Sequence, residues 1–343
     1  MKGKKTVTLR TVRPKVVAMT TAGPRTDGRP SPSMIWTAMA AVYVIWGTTY
    51  LAIRVSNETL PPLIAAGIRF LIAGAVLYAI SIRRGDVQGD RPGRAQWKAA
   101  SLVGLGLVAG GNGVVVLAER TVPSGLMSLV IALVPLWMAL IDRVLLRHRV
   151  GWLTTAGLIL GFGGAALLIG SSAIDHAAPL SGMLVGVCAT LSWTTASLYS
   201  RTAPLPKRPL VGAGMEMMVG GAICVVAGIA RGELPLVRFE DFSAASLLAL
   251  LYLITVGSWI GFTSYVWLLR NARTSLVSTY AYVNPVVAVF LGWIVLNETI
   301  SIRTFIAGAV IVAAVAIIIS TGGTRRREEA VADDAPRPEP AVA

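Results

Sequence analysis

The sequence predicts an all-α integral membrane protein whose ten transmembrane helices form two inverted five-helix repeats. Three observations carry this prediction. The composition is too apolar for a soluble domain: 55% of the 343 residues are hydrophobic, 14% are charged and the mean hydropathy is +0.68, where soluble domains carry about 25% charged residues. The apolar residues gather into stretches of membrane-spanning length, and basic residues alternate between the loops that join them. The chain also echoes itself across its two halves.

A bilayer core of about 30 Å needs roughly 20 apolar residues per helix. On that ruler the spans lie near 34–53, 61–82, 97–117, 122–142, 151–171, 179–200, 209–230, 243–268, 274–296 and 301–320. Several connections are a few residues long, so sequential helices are antiparallel neighbours. Residues 1–33 are polar, basic and rich in Pro, Gly and Thr, with none of the apolar core a signal peptide needs, and read as a disordered cytoplasmic N-tail. Residues 321–343 are charged and proline-rich and read as a disordered cytoplasmic C-tail.

Charge placement tests the segmentation. Of the 31 Lys and Arg residues, 25 fall in the two tails and the even-numbered loops; the other six are Arg69 in the second span and Arg54, Arg120, Arg231, Arg238 and Arg303 in odd-numbered loops. This alternation predicts a multi-pass protein of the cytoplasmic membrane with both termini cytoplasmic. A net charge of +14 could signal nucleic acid in a soluble chain. Here the charge sits in short loops and tails, which suit lipid headgroups, so no nucleic-acid partner is expected.

The echo has two registers. At a spacing of 147, Trp46, Thr48, Leu51, Arg54, Pro62, Leu63, Gly67, Gly74 and Ala75 recur as Trp193, Thr195, Leu198, Arg201, Pro209, Leu210, Gly214, Gly221 and Ala222. At a spacing of 150, Arg120, Leu126, Ser128, Pro135, Leu146 and Thr154 recur as Arg270, Leu276, Ser278, Pro285, Leu296 and Thr304. The halves are predicted to span 34–171 and 179–320. Five helices per half is an odd number, so the second half enters the membrane the other way up. Secondary transporters commonly have this architecture, with the substrate site near the midplane where the halves meet.

The WGTTYLAIR opening, the LPPLIAAGIRF second helix, PSGLMSLVIALVPLW in the fourth and TSLVSTYAYVNPVVAVFLGWIVLNETIS around the ninth resemble the EamA family of the drug/metabolite transporter superfamily over about residues 34–320. The resemblance implies ten helices, a central cavity, alternating access and export or exchange of small metabolites, such as amino acids, related amphipathic solutes or drugs. One departure is the loop RVLLRHRVG, where His148 stands in place of a family glutamate whose second copy here is Glu298.

Candidate site residues follow from chemistry at mid-helix. Trp46 and Trp193 lie inside their spans, although membrane tryptophans favour the interface, and hydroxyls such as Thr49 follow them. Asn112 adds an amide among glycines, and Tyr280 and Asn284 stack four residues apart on the ninth span. Trp46, Thr49, Asn112, Trp193, Tyr280 and Asn284 therefore form the predicted cavity wall, although interhelical hydrogen bonding alone would also account for any one of them. Pro135 and Pro285 are predicted kinks that free the carbonyls of Ile131 and Ala281. Arg69 and Glu216, 147 residues apart, put opposite charges at equivalent membrane positions. They are predicted to sit about 10 Å apart along the normal, with Arg69 attracting an anionic group of the solute and Glu216 exchanging a coupling proton.

Several classes have no signature. The glycine-rich runs at 103–113 and 157–170 lack the strand, helix and Gly-Lys-Ser/Thr of a nucleotide loop and read as packing surfaces. Cys188, Cys224, His148 and His176 show no metal-ligand spacing. No catalytic residue, metal or cofactor is nominated. A membrane enzyme of lipid metabolism, which would need clustered acids or a nucleophile with a base, and a membrane protein without flux remain the competing readings; the oligomeric state is open.

Overall fold

The structure is a computed structural model, and it describes residues 30–83, 91–118, 122, 127, 130–144, 151–169, 180–287 and 302–333. Among these residues the fold is entirely helical. The elements are α1 (Pro32–Ser56), α2 (Pro62–Arg83), α3 (Arg94–Ala118), α4 (Val134–Val144), α5 (Trp152–Ile169), α6 (Leu180–Ser200), α7 (Pro209–Ala230), α8 (Ala244–Asn271), α9 (Thr274–Ser278) and α10 (Ile302–Asp333). Six of them, α1, α2, α3, α6, α7 and α8, are long and apolar enough to cross a membrane, which makes this a multi-pass membrane protein. His148, Glu298 and the predicted loop at 172–178 lie outside the described residues.

Local chemistry sets several boundaries. Ser31 caps α1 by accepting from Met34 N at 3.3 Å, with Pro32 at the first helical position. Ser243 caps α8 by accepting from Ser246 N at 3.1 Å. Gly232 ends α7 with φ of 81°, a left-handed cap that favours glycine. That turn carries Glu233 back over the start of α2, where its Oε2 accepts from Leu63 N at 3.0 Å and Ile64 N at 3.1 Å. The carboxylate thus caps a helix 170 residues earlier in the chain and complements its dipole.

α7 is the centre of the bundle. It packs along α2 in antiparallel fashion through glycines: a Cβ on Gly67 would lie 2.7 Å from the Gly221 carbonyl oxygen, and one on Gly74 would lie 2.7 Å from that of Gly214. α3 closes over another face, where a Cβ on Gly104 would come within 2.3 Å of the Glu216 carbonyl oxygen. Such backbone approach is what small residues permit in membranes. α5 and α10 form a second pair with Leu158, Ala165, Ile311 and Ile318 in its core, joined by Tyr282.

Three details depart from the sequence reading. The ninth span is interrupted at Thr279, before Pro285, which lies in the helix that resumes over 280–287. The Thr279 hydroxyl bonds back to Leu276 O at 2.6 Å, and this local alternative partner accompanies the break. Pro135 is the second residue of α4, just after a turn at 132–133, so its missing N–H falls where a helix needs no donor. The predicted disordered tail begins as helix instead, since α10 runs on to Asp333. A span that has already nucleated extends at little cost, and RRREEAVAD is made largely of helix-favouring residues.

Candidate solute cavity

A cavity of about 720 Å³, its open mouth included, lies between α1, α2, α3, α4, α6, α8 and the ninth span. α1 contributes Trp46, Thr49 and Ile53, which share one face at spacings of three and four. α2 supplies Arg69 and Phe70, and α6 supplies Ala189, Thr190 and Trp193. From α3 come Gly111, Asn112 and Val115, and from α8 comes Phe262; both helices widen into π-helical stretches there, Leu105–Gly113 and Leu253–Phe262. Such stretches are rare and are frequent at functional sites. Ile131, Val134 and Tyr280 complete the wall.

The aromatic side chains form one cluster. Trp46 contacts Trp193 at a ring separation of 5.5 Å, and Tyr265 and Tyr280 at 4.9 Å each. Tyr265 sits behind the wall and is fully buried; its hydroxyl accepts from Trp193 Nε1 at 2.9 Å and bonds the Ser197 hydroxyl at 2.7 Å. Most wall hydroxyls and amides are turned inward on their own helices: Thr49 donates to Trp46 O, Thr190 to Val187 O and Asn112 to Leu107 O. The neutral polar groups are therefore largely satisfied by protein, and the surface left for a solute is mostly aromatic and aliphatic.

Arg69 is the exception, and among the described lining residues it alone carries charge. Its Nε donates to Ser258 Oγ at 3.0 Å, Ser258 in turn bonds Leu253 O within the π-helical stretch, and its Cζ lies 4.5 Å from the Phe70 ring centre. Gly257 makes room for the fork, since a Cβ there would lie 3.1 Å from Nη2. The guanidinium is thus oriented by one hydrogen bond and one ring, and its fork lines the cavity.

The predicted residues separate on inspection. Trp46, Thr49, Asn112, Trp193 and Tyr280 meet around the cavity. Asn284 does not line it; it is buried, with its amide nitrogen placed to donate to Tyr280 O at 3.0 Å and Tyr43 O at 3.3 Å. Arg69 and Glu216 point to different surroundings: Glu216 is wholly buried beneath α3 and faces Arg270 across Gly212 instead. Tyr265, Ser258 and Phe262 were not nominated from sequence. Phe262 does sit 150 residues after Asn112, and Tyr265 the same distance after Val115, but neither residue type repeats, so the echo conceals them.

The profile of the EamA-like transporter family matches the chain twice, over residues 33–170 and 180–320. The chain belongs to the EamA-like transporter family. It is 37% identical over 278 residues to the inner membrane transporter YedA of Escherichia coli K12, covering 80% of this chain and 87% of that one. A Salmonella typhimurium protein named "Probable amino-acid metabolite efflux pump" is 25% identical over 283 residues, 79% of this chain and 89% of its own. A crystal structure at 24% identity superposes with a TM-score of 0.69 over 87% of this chain and all of the other, a likeness of fold.

Proposed function

We propose that this protein is a secondary transporter of the cytoplasmic membrane that exports or exchanges a small amphipathic metabolite by alternating access, with a proton as coupling ion. The observation that carries the reading is the cavity itself, which sets the Arg69 guanidinium in a wall of aromatic and aliphatic side chains. Such a site suits a solute with an apolar body and one anionic group, because Arg pairs with a carboxylate through its fork while the rings cover apolar surface. Amino acids and related solutes have that form, and the name of the Salmonella relative supports the class.

In this reading the ten spans form two inverted repeats, 34–171 and 179–320, with both termini cytoplasmic. Two features support it beyond the double family match. Gly67 and Gly74 correspond to Gly214 and Gly221 at a spacing of 147, yet the touching pairs are Gly67 with Gly221 and Gly74 with Gly214. A two-fold axis exchanging the halves turns each pair into the other. The π-helical stretches also fall in the third helix of each half. Inverted halves of this kind rock about a fixed central site.

The test is uptake of labelled amino acids into proteoliposomes containing the purified protein. We expect saturable counterflow for at least one carboxylate-bearing solute. Alanine at Trp46, Asn112, Trp193 or Tyr280 should lower that flux without loss of membrane insertion. Arg69→Lys should retain more of it than Arg69→Ala, since the charge survives and only the planar fork is lost. No flux for any solute of the panel, or flux indifferent to all five positions, would sink the reading.

A further inference from the structure

Glu216 is a buried carboxylate that serves neither the cavity nor, like Glu233, a helix cap. It is fully buried in the middle of α7, and both of its carboxylate oxygens lack a hydrogen-bond partner. Across from it, at the end of α8, Arg270 donates through Nη1 to Pro206 O at 2.9 Å, while its Nη2 is also buried and unpartnered. The two groups approach each other over Gly212. A Cβ on that glycine would lie 3.0 Å from Arg270 Nη2 and 4.0 Å from Glu216 Oε1, which bounds the separation of these two atoms at 7.0 Å. Among the described residues no other side chain takes either group.

The remaining titratable and charged groups on the elements packed against α7 are committed elsewhere. On α2, Arg69 is held by Ser258, Tyr78 packs on Trp97 and Arg83 is exposed. On α3, Arg94 and Lys98 are exposed. On α8, Tyr265 is bonded to Trp193 and Ser197, and Tyr252 to Thr48. In the loop before α7, Arg208 donates to Ser81 O. Arg270 is left as the counter-charge of Glu216.

We infer that Glu216, Gly212 and Arg270 form a proton site, separate from the solute cavity, that carries the coupling ion of the proposed transporter. An ionised carboxylate buried with neither oxygen bonded costs several kcal/mol, so the open arrangement holds the neutral acid. Loss of the proton to water leaves a carboxylate that draws Nη2 across the gap kept clear by Gly212, and the pair closes with a charge-assisted bond. The movement strains the Nη1 bond to Pro206 O, in the loop that Arg201 also ties to the end of α8, through Leu269 O at 2.7 Å, and to Ala272 O just beyond it at 3.0 Å. Proton release is thereby linked to the connection between α6 and α7 on the side predicted to be cytoplasmic.

This inference rests on the transport reading for its purpose, but its test needs no solute. The full chain in liposomes is titrated with pH while the infrared carbonyl stretch of protonated carboxyl groups is followed. A band that titrates in the wild type should be lost in Glu216→Gln. Arg270→Gln removes the cation and Gly212→Ala wedges a methyl into the gap, so both should move the titration to higher pH by at least about one unit. Arg270→Lys, which keeps the charge, should restore it towards the wild-type position. A band that survives Glu216→Gln, or a titration unmoved by both Arg270→Gln and Gly212→Ala, overturns the site. Absence of solute flux in the separate uptake assay would overturn the transport reading and leave this titration standing.

Discussion

Tyr265 shows how much of the cavity depends on a residue behind its surface. Its hydroxyl serves Trp193 Nε1 and Ser197 together, and its ring lies against Trp46, Trp193 and Tyr280. Tyr265→Phe keeps the rings in place and strands a buried indole N–H, which costs about 1–3 kcal/mol. We expect a lower thermal unfolding midpoint in detergent, and a Trp193 freed to turn should also change the tryptophan fluorescence of the folded protein. Trp193→Phe removes the donor as well, so the double variant should be no less stable than the sum of its single changes allows. Arg69 is the opposite case, a residue whose value lies in what it leaves open: one bond to Ser258 aims the side chain and the fork stays available. Its five donors on a planar frame are why lysine should substitute only in part.

At the scale of elements, the contact between α2 and α7 is made of backbone. Because a Cβ added at Gly67, Gly221, Gly74 or Gly214 would lie 2.7, 2.8, 2.7 or 3.0 Å from the facing carbonyl oxygen, a side chain at these positions must push the helices apart. We expect Gly67→Leu and Gly221→Leu each to cost about 1–3 kcal/mol or more, read as lost monodisperse protein on size-exclusion chromatography with heating, and neither to be additive with the other. Glu233 fastens the same pair at its end. Glu233→Gln retains an acceptor for Leu63 N and Ile64 N but loses the charge against the helix dipole, so it should be milder than Glu233→Ala, which loses about 1 kcal/mol or more of capping. The comparison is read from the unfolding midpoints of the two variants.

For the whole molecule the decisive measurement is orientation. With Cys188 and Cys224 replaced, single cysteines at 172–178 should react with an impermeant maleimide added to intact cells, and cysteines at 202–208 should react only after lysis. The reverse pattern would overturn the predicted topology and with it the cytoplasmic placement of the termini. The prediction rests on basic residues held back on the cytoplasmic side, and the folded structure adds a consistent geometric constraint. Glu233 and the start of α2 must share one side, as must Arg201, Pro206 and Arg270.

The six spans that the structure shows as long apolar helices, α1, α2, α3, α6, α7 and α8, were legible in the sequence, because the transfer of an apolar stretch into a bilayer is a sum along some 20 neighbouring residues and needs no knowledge of the rest of the chain. The mid-helix tryptophans and Asn112 were legible for a related reason, since an aromatic or amide away from the interface already conflicts with lipid. What lay beyond the sequence was the azimuth and partner of each buried group. Arg69 and Glu216 occupy equivalent positions in their helices, yet one opens on the cavity beside Ser258 and the other faces Arg270 over Gly212. That divergence, like the reach of Glu233 to α2 across 170 residues, is set by how the helices rotate and pack against one another, a property of many distant contacts at once that no local stretch contains.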